Sequence, residues 1–319
     1  MSHSPIRTGV VGVGYLGYHH ARLYAEHDGA ELVGICDTRA DHGSTVAGEF
    51  GTTYYSTVLE LIDAGIQAAS VAVPTTGHFE VVQQLLEAGI DVLVEKPIAT
   101  TLDEARDMVA LANEKGCLLQ VGHVERFNGA VMALTKAIKK PRFIECHRMS
   151  PFPNRGDDVS VVLDLMIHDI DVIMALDNSE IVSIDAVGMP VLSKEEDIAN
   201  VRLRFASGCV ANLTASRISL ERMRKIRIFE ENAYVSTDYS EQQVMIYRKK
   251  AGGLPDDASP MEAITMEPLE IEKVEPLKIE ITSFLECVET RSKPIVSGDA
   301  GLKALQLAHD IMEFIRTHS

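Results

Sequence analysis

The first 122 residues alternate short apolar runs with amphipathic segments. The apolar runs are strand-like, and helical patterns such as YHHARLYAEH separate them. In chain order, the runs are IRTGVVG, ELVGICD, AASVAVP, DVLVEKP and LLQVG. Alternation of strand and helix at this spacing is typical of βαβ units, whose parallel sheet is covered by helices on both faces. Residues 1–122 are therefore predicted to form an α/β domain with a doubly wound parallel sheet.

The rhythm changes after Gly122. One helical segment, at residues 159–176, precedes strands that have no helices between them. Those strands are EIVSIDAVGMP, ANVRLRF, CVANLTAS, KIRIFEE, AYVSTDY and QVMIYRK. Strands joined by short turns favour a mostly antiparallel, open sheet, so residues 123–298 are predicted to form an α+β domain.

The C-terminal part adds a loop and two helices. Residues 251–276 are rich in proline, glycine and acids, which is typical of an exposed loop. Residues 277–291 and 299–316 have helical periodicity. We expect these two helices to pack back on the first domain.

Composition and charge limit the class of protein. The 319 residues are 46% apolar and 24% charged, as in ordinary globular proteins. The net charge of −17 repels nucleic acid and anionic membranes, so an anionic substrate would need a local basic pocket. The five cysteines are scattered, with no C-x-x-C pair, and no segment approaches the roughly 18 consecutive apolar residues of a membrane span. We expect a cytoplasmic protein without membrane insertion.

A glycine-rich turn follows the first strand. Residues 12–17, GVGYLG, match the G-x-G-x-x-G pattern and open a helix. In this pattern the first glycine allows a tight turn, the second lets the backbone approach a pyrophosphate, and the third lets helix and strand pack closely. Asp37 ends the second strand 20 residues after Gly17, where such folds place the acid that hydrogen-bonds the ribose. The pattern predicts a Rossmann domain that binds a dinucleotide.

Asp37 also bears on the choice of cofactor. A carboxylate there pairs with free ribose hydroxyls and repels a 2′-phosphate, which favours NAD over NADP. Arg39 leaves some room for NADP, because an arginine near that ribose can accept a phosphate. The predicted cofactor-binding residues are Gly12, Gly14, Tyr15, Leu16, Gly17, Asp37, Arg39, Pro74, Glu95 and Lys96.

Lys96 stands at the end of a buried strand. The run DVLV leads into Glu95-Lys96-Pro97, which places Lys96 at the carboxyl edge of the sheet, where ligands of open α/β sheets bind. The proline restricts the backbone before it and allows a cis peptide bond, which would set the direction of the ammonium group. Lys96 is therefore a candidate catalytic and substrate-binding residue.

A second candidate group lies on the helix of the second domain. Asp164, His168 and Asp171 are spaced i, i+4 and i+7, so they share one helical face, while Asp169 lies off it. Carboxylate and imidazole groups on an otherwise apolar helix are costly to bury unless they are paired. A core histidine held by an aspartate is the alternative reading. Without a second histidine or a cysteine nearby, this set is a poor zinc site, and we predict no metal.

These motifs together resemble the Gfo/Idh/MocA family of sugar and polyol dehydrogenases over nearly the whole chain. The resemblance rests on GVGYLG, on Glu95-Lys96-Pro97 and on the D-x-x-x-H-x-x-D run from Asp164 to Asp171. It implies an enzyme that binds NAD(P) across its first domain and a substrate against its second. It also implies a homodimer or homotetramer formed through the open sheet. Lys96 and His168 would then flank the reacting carbinol, with Asp164 orienting the substrate or the histidine.

The chemistry needs a base. Hydride removal from a secondary alcohol requires the hydroxyl proton to leave as well. Either Lys96 or His168 can be that base, and the other can stabilise the developing negative charge. His168 suits proton transfer near neutral pH, and a protonated Lys96 is the better charge stabiliser. The sequence leaves the assignment open.

A narrower resemblance concerns the substrate. GHVERFNGAV and HRMSPFPNRGDDVSVVLDLMIHDID resemble the branch that oxidises the 3-hydroxyl of UDP-N-acetylglucosamine, a step towards amino-sugar lipid A. Arg126, Arg148 and Arg155 are candidate ligands for the diphosphate, and Asn128 is a candidate sugar ligand. His123 and Asn154 are further candidate sugar ligands, and the basic run at residues 217–227 is a second candidate phosphate site. The alternatives are a dehydrogenase of a free polyol such as inositol, and a dinucleotide-sensing protein without catalysis.

Overall fold

The computed structural model describes residues 4–152, 159–250 and 264–318. Contacts between residues divide the chain into two compact units. Unit 1 comprises Met1–Val124 and Glu275–Leu305, and unit 2 comprises Glu125–Val274 and Gln306–Ser319. These units differ from the predicted ranges, because residues 275–298 belong to unit 1 and the final helix is divided between both units.

Strands and helices are numbered in chain order. The strands are β1 (Ile6–Val11), β2 (Ala30–Cys36), β3 (Thr53–Tyr55), β4 (Ala68–Val71), β5 (Asp91–Glu95), β6 (Leu119–Gly122), β7 (Phe143–Met149), β8 (Ile181–Met189), β9 (Ile198–Phe205), β10 (Val210–Ser216), β11 (Met223–Phe229), β12 (Ala233–Asp238), β13 (Gln243–Lys249) and β14 (Ile264–Pro268). The α-helices are α1 (Tyr15–Glu26), α2 (Ala40–Glu49), α3 (Val58–Asp63), α4 (His78–Glu87), α5 (Leu102–Lys115), α6 (Gly129–Ala137), α7 (Ile167–Leu176), α8 (Pro276–Thr290) and α9 (Gly298–His318).

Unit 1 contains a parallel sheet of six strands in the order β3-β2-β1-β4-β5-β6. The order reverses between β1 and β4, and ligands of such sheets bind outside the carboxyl ends of the strands at that reversal. The predicted doubly wound sheet is confirmed. Only the short β3 was missed, because its three residues, TYY, are too few for a recognisable apolar run.

The core of unit 1 joins α1, β1 and α8. Buried side chains of α1, such as Leu23 and Tyr24, pack in one cluster with Val10 of β1 and with Ile281 and Phe284 of α8. Full burial of one such side chain is worth about 1.5–3 kcal/mol. The helix predicted at residues 277–291 therefore contributes to the core beneath the glycine-rich turn.

Unit 2 contains a sheet of eight strands in the order β14-β13-β12-β11-β7-β10-β9-β8. The neighbours are antiparallel except for β7 and β10, so the predicted mostly antiparallel sheet is confirmed. Two strands were not predicted, although β7 alternates half-buried and buried positions along its length. The other, β14, lies inside residues 251–276, so the prediction of a loop throughout that stretch was wrong.

The helical segment predicted at residues 159–176 is not a regular α-helix from its start. Val162–Met166 form a π-helix, and α7 follows directly. Hydrogen bonds in a π-helix span five residues instead of four, which shifts the angular positions of its side chains. The common face inferred from α-helical spacing therefore does not extend unchanged from Asp164 to Asp171. Among the described residues, no helix is long and apolar enough to cross a membrane.

Candidate active site

The glycine-rich turn of unit 1 has the backbone that its sequence predicts. Gly12 has φ +82°, and a Cβ there would lie 2.8 Å from the backbone nitrogen of Val73. A Cβ on Gly17 would lie 1.8 Å from the carbonyl oxygen of Gly12. Around the Cβ position of Gly14, in contrast, no described atom lies within 4 Å. The turn is thus closed on its protein side and open at Gly14, as the approach of a pyrophosphate requires.

The amino end of α1 lies beside this opening. Gly14 is the N-cap, and among the described residues no side chain caps the helix and no acid stands in its first turn. The first amide groups of a helix point their N–H bonds outward, and the helix dipole attracts an anion there. Tyr15 and Leu16 are exposed at the same turn. These features fit the phosphates of a dinucleotide.

Asp37 is held at the end of β2. Its Oδ2 accepts the Val13 N–H at 3.0 Å, and its Oδ1 accepts the backbone N–H and the Nε–H of Arg39 at 2.9 and 3.2 Å. Burial alone would raise the pKa of Asp37, but the hydrogen bonds from Arg39 and Val13 lower it below its usual value. The carboxylate is therefore ionised and directed, which fits the ribose of NAD, while Arg39 partly neutralises its charge.

His42 supports the same turn and was missed by the sequence reasoning. Its Nε2 donates to the carbonyl oxygen of Val13 at 2.8 Å. Val13 is thus held at its amide by Asp37 and at its carbonyl by a side chain of α2. A histidine five residues after Asp37 is a weak signal, because nothing in its spacing indicates which backbone group it reaches.

The Glu95-Lys96-Pro97 turn follows β5 at the carboxyl edge of the sheet. The Lys96–Pro97 peptide bond is cis. Glu95 is buried, Lys96 is half-buried, and both neighbours of Lys96 contact buried histidines. Pro74 follows β4 at the same edge, next to Val73. The structure thus brings together, at one edge of unit 1, the glycine-rich turn, Asp37, Pro74 and Lys96.

In unit 2, Asp164 and His168 are both half-buried, Asp164 in the π-helix and His168 in the first turn of α7. π-Helical turns are frequent at functional sites. Asp171 is buried, and its Oδ1 lies 3.3 Å from Nη1 of Arg126. Arg126 is thus engaged by a carboxylate of α7, although part of its side chain reaches the surface.

The predicted substrate contact of Arg148 is not supported by the geometry. Its guanidinium is buried and bonds Asp169 through Nε and Nη2, at 2.9 and 3.0 Å, and Glu125 through Nη1 at 3.0 Å. Burial would lower the pKa of Arg148, but the charges of Asp169 and Glu125 raise it above its usual value. The arginine is a charged part of the core, and three of its five N–H donors are already used. Asp169, which the predicted helical face left out, is its main partner.

The other predicted ligands have mixed outcomes. Asn128 caps α6 by accepting the Ala130 N–H at 3.0 Å, and its Nδ2 donates to the carbonyl of Tyr239 at 3.1 Å. His123 is buried. Arg155 and Asn154 lie outside the described residues. In the basic run, Arg217 is buried and its Nε bonds Asp197 at 2.7 Å.

Three of the four other cations of that run lie near carboxylates. Lys225 and Arg227 face theirs across neighbouring strands, and Arg224 lies near Glu125 of a short 3₁₀ helix. Arg224, Lys225 and Arg227 lie 3.6, 3.7 and 3.8 Å from acidic oxygens. The two cross-strand pairs are exposed and worth little individually, and Glu125 is already held by Arg148, so these contacts do not support a phosphate pocket. Within the described ranges, no group of three or more histidine, cysteine or acidic side chains is placed to hold a metal ion.

Comparison with known proteins agrees with this architecture. Residues 6–123 match the family described as an oxidoreductase family with an NAD-binding Rossmann fold, and residues 132–236 match the GFO/IDH/MocA C-terminal domain. A UDP-N-acetylglucosamine 3-dehydrogenase of Acidithiobacillus ferrooxidans is 34% identical over 95% of both chains. A crystal structure of that dehydrogenase covers 99% of both chains, at 33% identity and a TM-score of 0.92. A scyllo-inositol 2-dehydrogenase (NAD(+)) of Bacillus subtilis is 28% identical over 92% of this chain and 89% of its own.

These matches and the open glycine-rich turn support one conclusion about the class of protein. The predicted resemblance is confirmed, and so is NAD as the cofactor. The protein is an NAD-binding oxidoreductase that acts on CH–OH groups. The chain belongs to the Gfo/Idh/MocA family of NAD-binding oxidoreductases.

Proposed function

We propose that this protein oxidises the 3-hydroxyl of UDP-N-acetylglucosamine to the 3-keto nucleotide sugar, with NAD as the oxidant. The observation that carries the proposal is the 34% identity, over 95% of both chains, to a protein named for that reaction. The inositol dehydrogenase named above has a lower identity, 28%. The fold itself does not distinguish these substrates, because one fold serves many substrates.

The reaction needs two transfers from one carbinol. The hydride on C3 goes to NAD, the hydroxyl proton goes to a base, and a C=O bond forms. In our proposal His168 takes the proton, because an imidazole exchanges protons near neutral pH. Lys96 donates a hydrogen bond to the developing alkoxide, and Asp164 orients the substrate or the histidine.

The diphosphate of the substrate needs cations on a protein of net charge −17. Arg148 is not available, because two carboxylates hold it, and Arg126 is engaged by Asp171. The proposal therefore depends on Arg155 as the main ligand of the diphosphate, with Arg126 as a second contact if Asp171 releases it. The role of Arg155 rests on its place in the sequence alone.

A second candidate is a dehydrogenase of a free polyol such as inositol. The burial of Arg148 favours it, because a substrate without phosphates needs no arginine cluster. Relatives named as inositol dehydrogenases, one from Bacillus subtilis and one from Thermotoga maritima, are 28% and 27% identical over most of the chain. Under this reading, Arg155→Ala would leave turnover unchanged.

A single-turnover experiment separates the two candidates. Stoichiometric protein and NAD are mixed with UDP-N-acetylglucosamine or with myo-inositol, and NADH fluorescence is followed. Hydroxylamine traps any ketone for mass analysis, since oxidation of an alcohol by NAD is uphill at neutral pH. A trapped 3-keto nucleotide sugar supports the first candidate, and a trapped inosose with no nucleotide-sugar product replaces it by the second. NAD binding without either product would favour a non-catalytic sensor.

We further propose a homodimer or homotetramer formed through the outer face of the unit 2 sheet, in the cytoplasm. Phe143, Phe229, Tyr234 and Tyr247 form a row across four strands, with ring centroids 4.7–5.6 Å apart. A row of partly exposed aromatic rings is a plausible protein contact surface. All five cysteines are free thiols, which suits a reducing compartment. Sedimentation of Tyr234→Glu should show smaller particles than the unmodified protein, and an unchanged distribution would argue against this surface.

A further inference from the structure

Lys96 lies between two residues that buried histidines hold. Nε2 of His20 is 2.9 Å from Oε1 of Glu95, the residue before Lys96. Nδ1 of His78 is 3.0 Å from the carbonyl oxygen of Pro97, the residue after it. Both histidines are 1% exposed. The nucleotide turn and the sugar chemistry described above use neither of them.

The contacts of His20 form a directional chain. Its Nδ1 lies 2.9 Å from Oγ of Ser70, and that oxygen lies 2.8 Å from the hydroxyl of Tyr24. Towards an ionised Glu95, Nε2 must carry the hydrogen, so in a neutral ring Nδ1 accepts from Ser70. Ser70 in turn accepts from Tyr24. Each proton donor in this chain then has one acceptor, and the imidazole is fixed in one tautomer and one orientation.

Burial keeps Tyr24 a donor in this chain. It raises the pKa of Tyr24 well above its ordinary value, against the lowering effect of the Ser70 hydrogen bond. Ser70 lies in the otherwise apolar strand β4, and Tyr24 lies on the face of α1 that packs into the core. A buried hydroxyl pair in such surroundings is costly unless it is hydrogen-bonded. Here the chain ends on the carboxylate of Glu95.

Gly122 leaves space for that carboxylate. Glu95 of β5 is paired with Gly122 of β6 in the sheet. A Cβ on Gly122 would lie 3.0 Å from Oε2 of Glu95 and 3.1 Å from its Cδ, tighter than ordinary contacts. The carboxyl group of Glu95 is thus confined between β6 on one side and His20 of α1 on the other.

His78 holds the turn from its other end. Its Nε2 lies 3.1 Å from the carbonyl oxygen of Val73, so the ring links the residues after β4 to Pro97 after β5. Burial lowers the pKa of His78 although the two carbonyl contacts oppose this. A neutral ring has a single N–H, so one carbonyl receives a hydrogen bond and the other only a close contact. The ring ties together two loops at the ligand-binding edge of the sheet.

We propose that His20 and His78 are positioning residues that fix the Glu95-Lys96-Pro97 turn and thereby direct the Lys96 ammonium towards the reacting hydroxyl. This inference rests on the role of Lys96 in the proposed function. Neither histidine touches the substrate in our proposal. Each acts through the residue beside Lys96, His20 through a carboxylate and His78 through a backbone carbonyl.

Kinetics of His20 variants test the first contact. His20→Leu removes the donor to Glu95, whereas His20→Gln retains an N–H of similar reach. We expect kcat to fall about 10- to 100-fold in His20→Leu, since small displacements of a catalytic group cost that much. The KM of His20→Leu for NAD should stay within about threefold of that of the unmodified protein. In His20→Gln most of the lost kcat should be recovered. His27→Gln, at the far end of α1, is the matched control and should turn over normally.

A merely structural role predicts a different result. If His20 only stabilised the fold, the loss of kcat would disappear once activity is divided by the number of NADH-binding sites. It would also not depend on whether the replacement can donate a hydrogen bond. Either result would overturn the inference. If His20→Leu does not fold, Ser70→Ala replaces it, with the exposed Ser44→Ala as control, and an unchanged kcat in Ser70→Ala would count against the chain.

A double-mutant cycle tests whether both histidines act on the same turn. If they do, the fold loss of kcat in the double variant should be clearly smaller than the product of the losses in His20→Leu and His78→Leu. The reason is that the first substitution already displaces Lys96, so the second has less left to remove. Fully multiplicative losses would mean that the two histidines act independently, which contradicts a shared positioning role.

One measurement needs no substrate, so it separates this inference from the proposed function. Lysines are reductively methylated with ¹³C formaldehyde, and the Lys96 methyl signal is the one absent in Lys96→Arg. With NADH bound, this signal should change position in His20→Leu and His78→Leu but not in His27→Gln. An unmoved signal refutes the positioning role even if the protein oxidises the proposed sugar. A moved signal supports it even if the substrate assignment fails.

Discussion

The two units use their buried charged and polar groups in different ways. In unit 1, Asp37 and Lys96 lie at strand ends. Asp37 is held by the amide of Val13 and by Arg39, and the residues on either side of Lys96 are held by two buried histidines. In unit 2, Arg148 and Arg217 are buried and satisfied by carboxylates inside the same unit. The charged residues of unit 1 thus stand at the ligand-binding edge of the parallel sheet, whereas the two arginines of unit 2 are held by carboxylates in its core.

This difference between the units shows that the type of a residue is not enough to identify it as a ligand contact. An arginine near a proposed diphosphate site suggests a ligand contact, but a guanidinium with three engaged donors cannot also bind phosphate without leaving its carboxylates unpaired. The lysine after β5 stands at the carboxyl end of a parallel strand, the position at which such sheets bind their ligands. Four predictions, in order of decreasing expected effect, test this contrast.

Arg148→Ala should destabilise the protein most. It leaves Asp169 and Glu125 buried without their cation, and removing one partner of a buried pair costs about 3–5 kcal/mol. Urea unfolding followed by circular dichroism measures this. Arg224→Ala, which removes an exposed partner of Glu125, should cost under about 1 kcal/mol. The contrast fails if Arg148→Ala keeps its stability and instead raises KM for a nucleotide sugar.

Lys96→Met and His168→Ala should each lower turnover about 100-fold or more, because in the proposed mechanism each removes a group that acts on the reacting hydroxyl. Fluorescence titration should show nearly unchanged NAD binding, since the glycine-rich turn and Asp37, which make most of the predicted contacts to the dinucleotide, remain in both variants. Lys115→Met, at the exposed end of α5, serves as the control. Normal turnover in both variants would remove the catalytic assignment.

Asp37→Ala should weaken NAD binding about 10- to 100-fold, because hydrogen bonds to a charged group contribute about 1.5–3 kcal/mol. It should also narrow the preference for NAD over NADP, since the carboxylate no longer repels a 2′-phosphate while Arg39 remains. Isothermal titration with both cofactors measures this, with the exposed Asp41→Ala as control. An unaltered preference would mean that Asp37 does not face the ribose.

The pH dependence of stability should reveal the buried His78. Because burial lowers its pKa in the folded protein, the unfolded chain takes up protons first, below the ordinary histidine value of about 6.5. Its contribution is therefore fully present above that pH and is lost as the pH falls towards the folded pKa. Between pH 7 and pH 5 the melting temperature of His78→Leu should fall less steeply than that of the unmodified protein. If the melting temperatures of the two proteins fell in parallel with pH, His78 would be solvated or paired with a charge.

Much of the first unit was predictable because its signals are local. A glycine turn, the acid at the end of the next strand and a lysine before a proline are each recognised within a few residues, and parallel topology brings strand ends to one edge. β14 and the π-helix were not predictable in this way. The strand lies in a stretch whose composition favours a loop, and nothing in a periodic pattern distinguishes a π-helical turn from an α-helical one.

The partners of the buried side chains were beyond such local signals. His20 meets Glu95 across 75 residues, and Arg148 meets Asp169 across 21 and Glu125 across 23. Local chemistry and periodicity determine which groups stand at the ends of strands, and hence the fold, the cofactor and the candidate catalytic lysine. Only the packing of distant segments decides which charges are neutralised inside and which stay available, because desolvation depends on every atom around a group rather than on its neighbours in the chain.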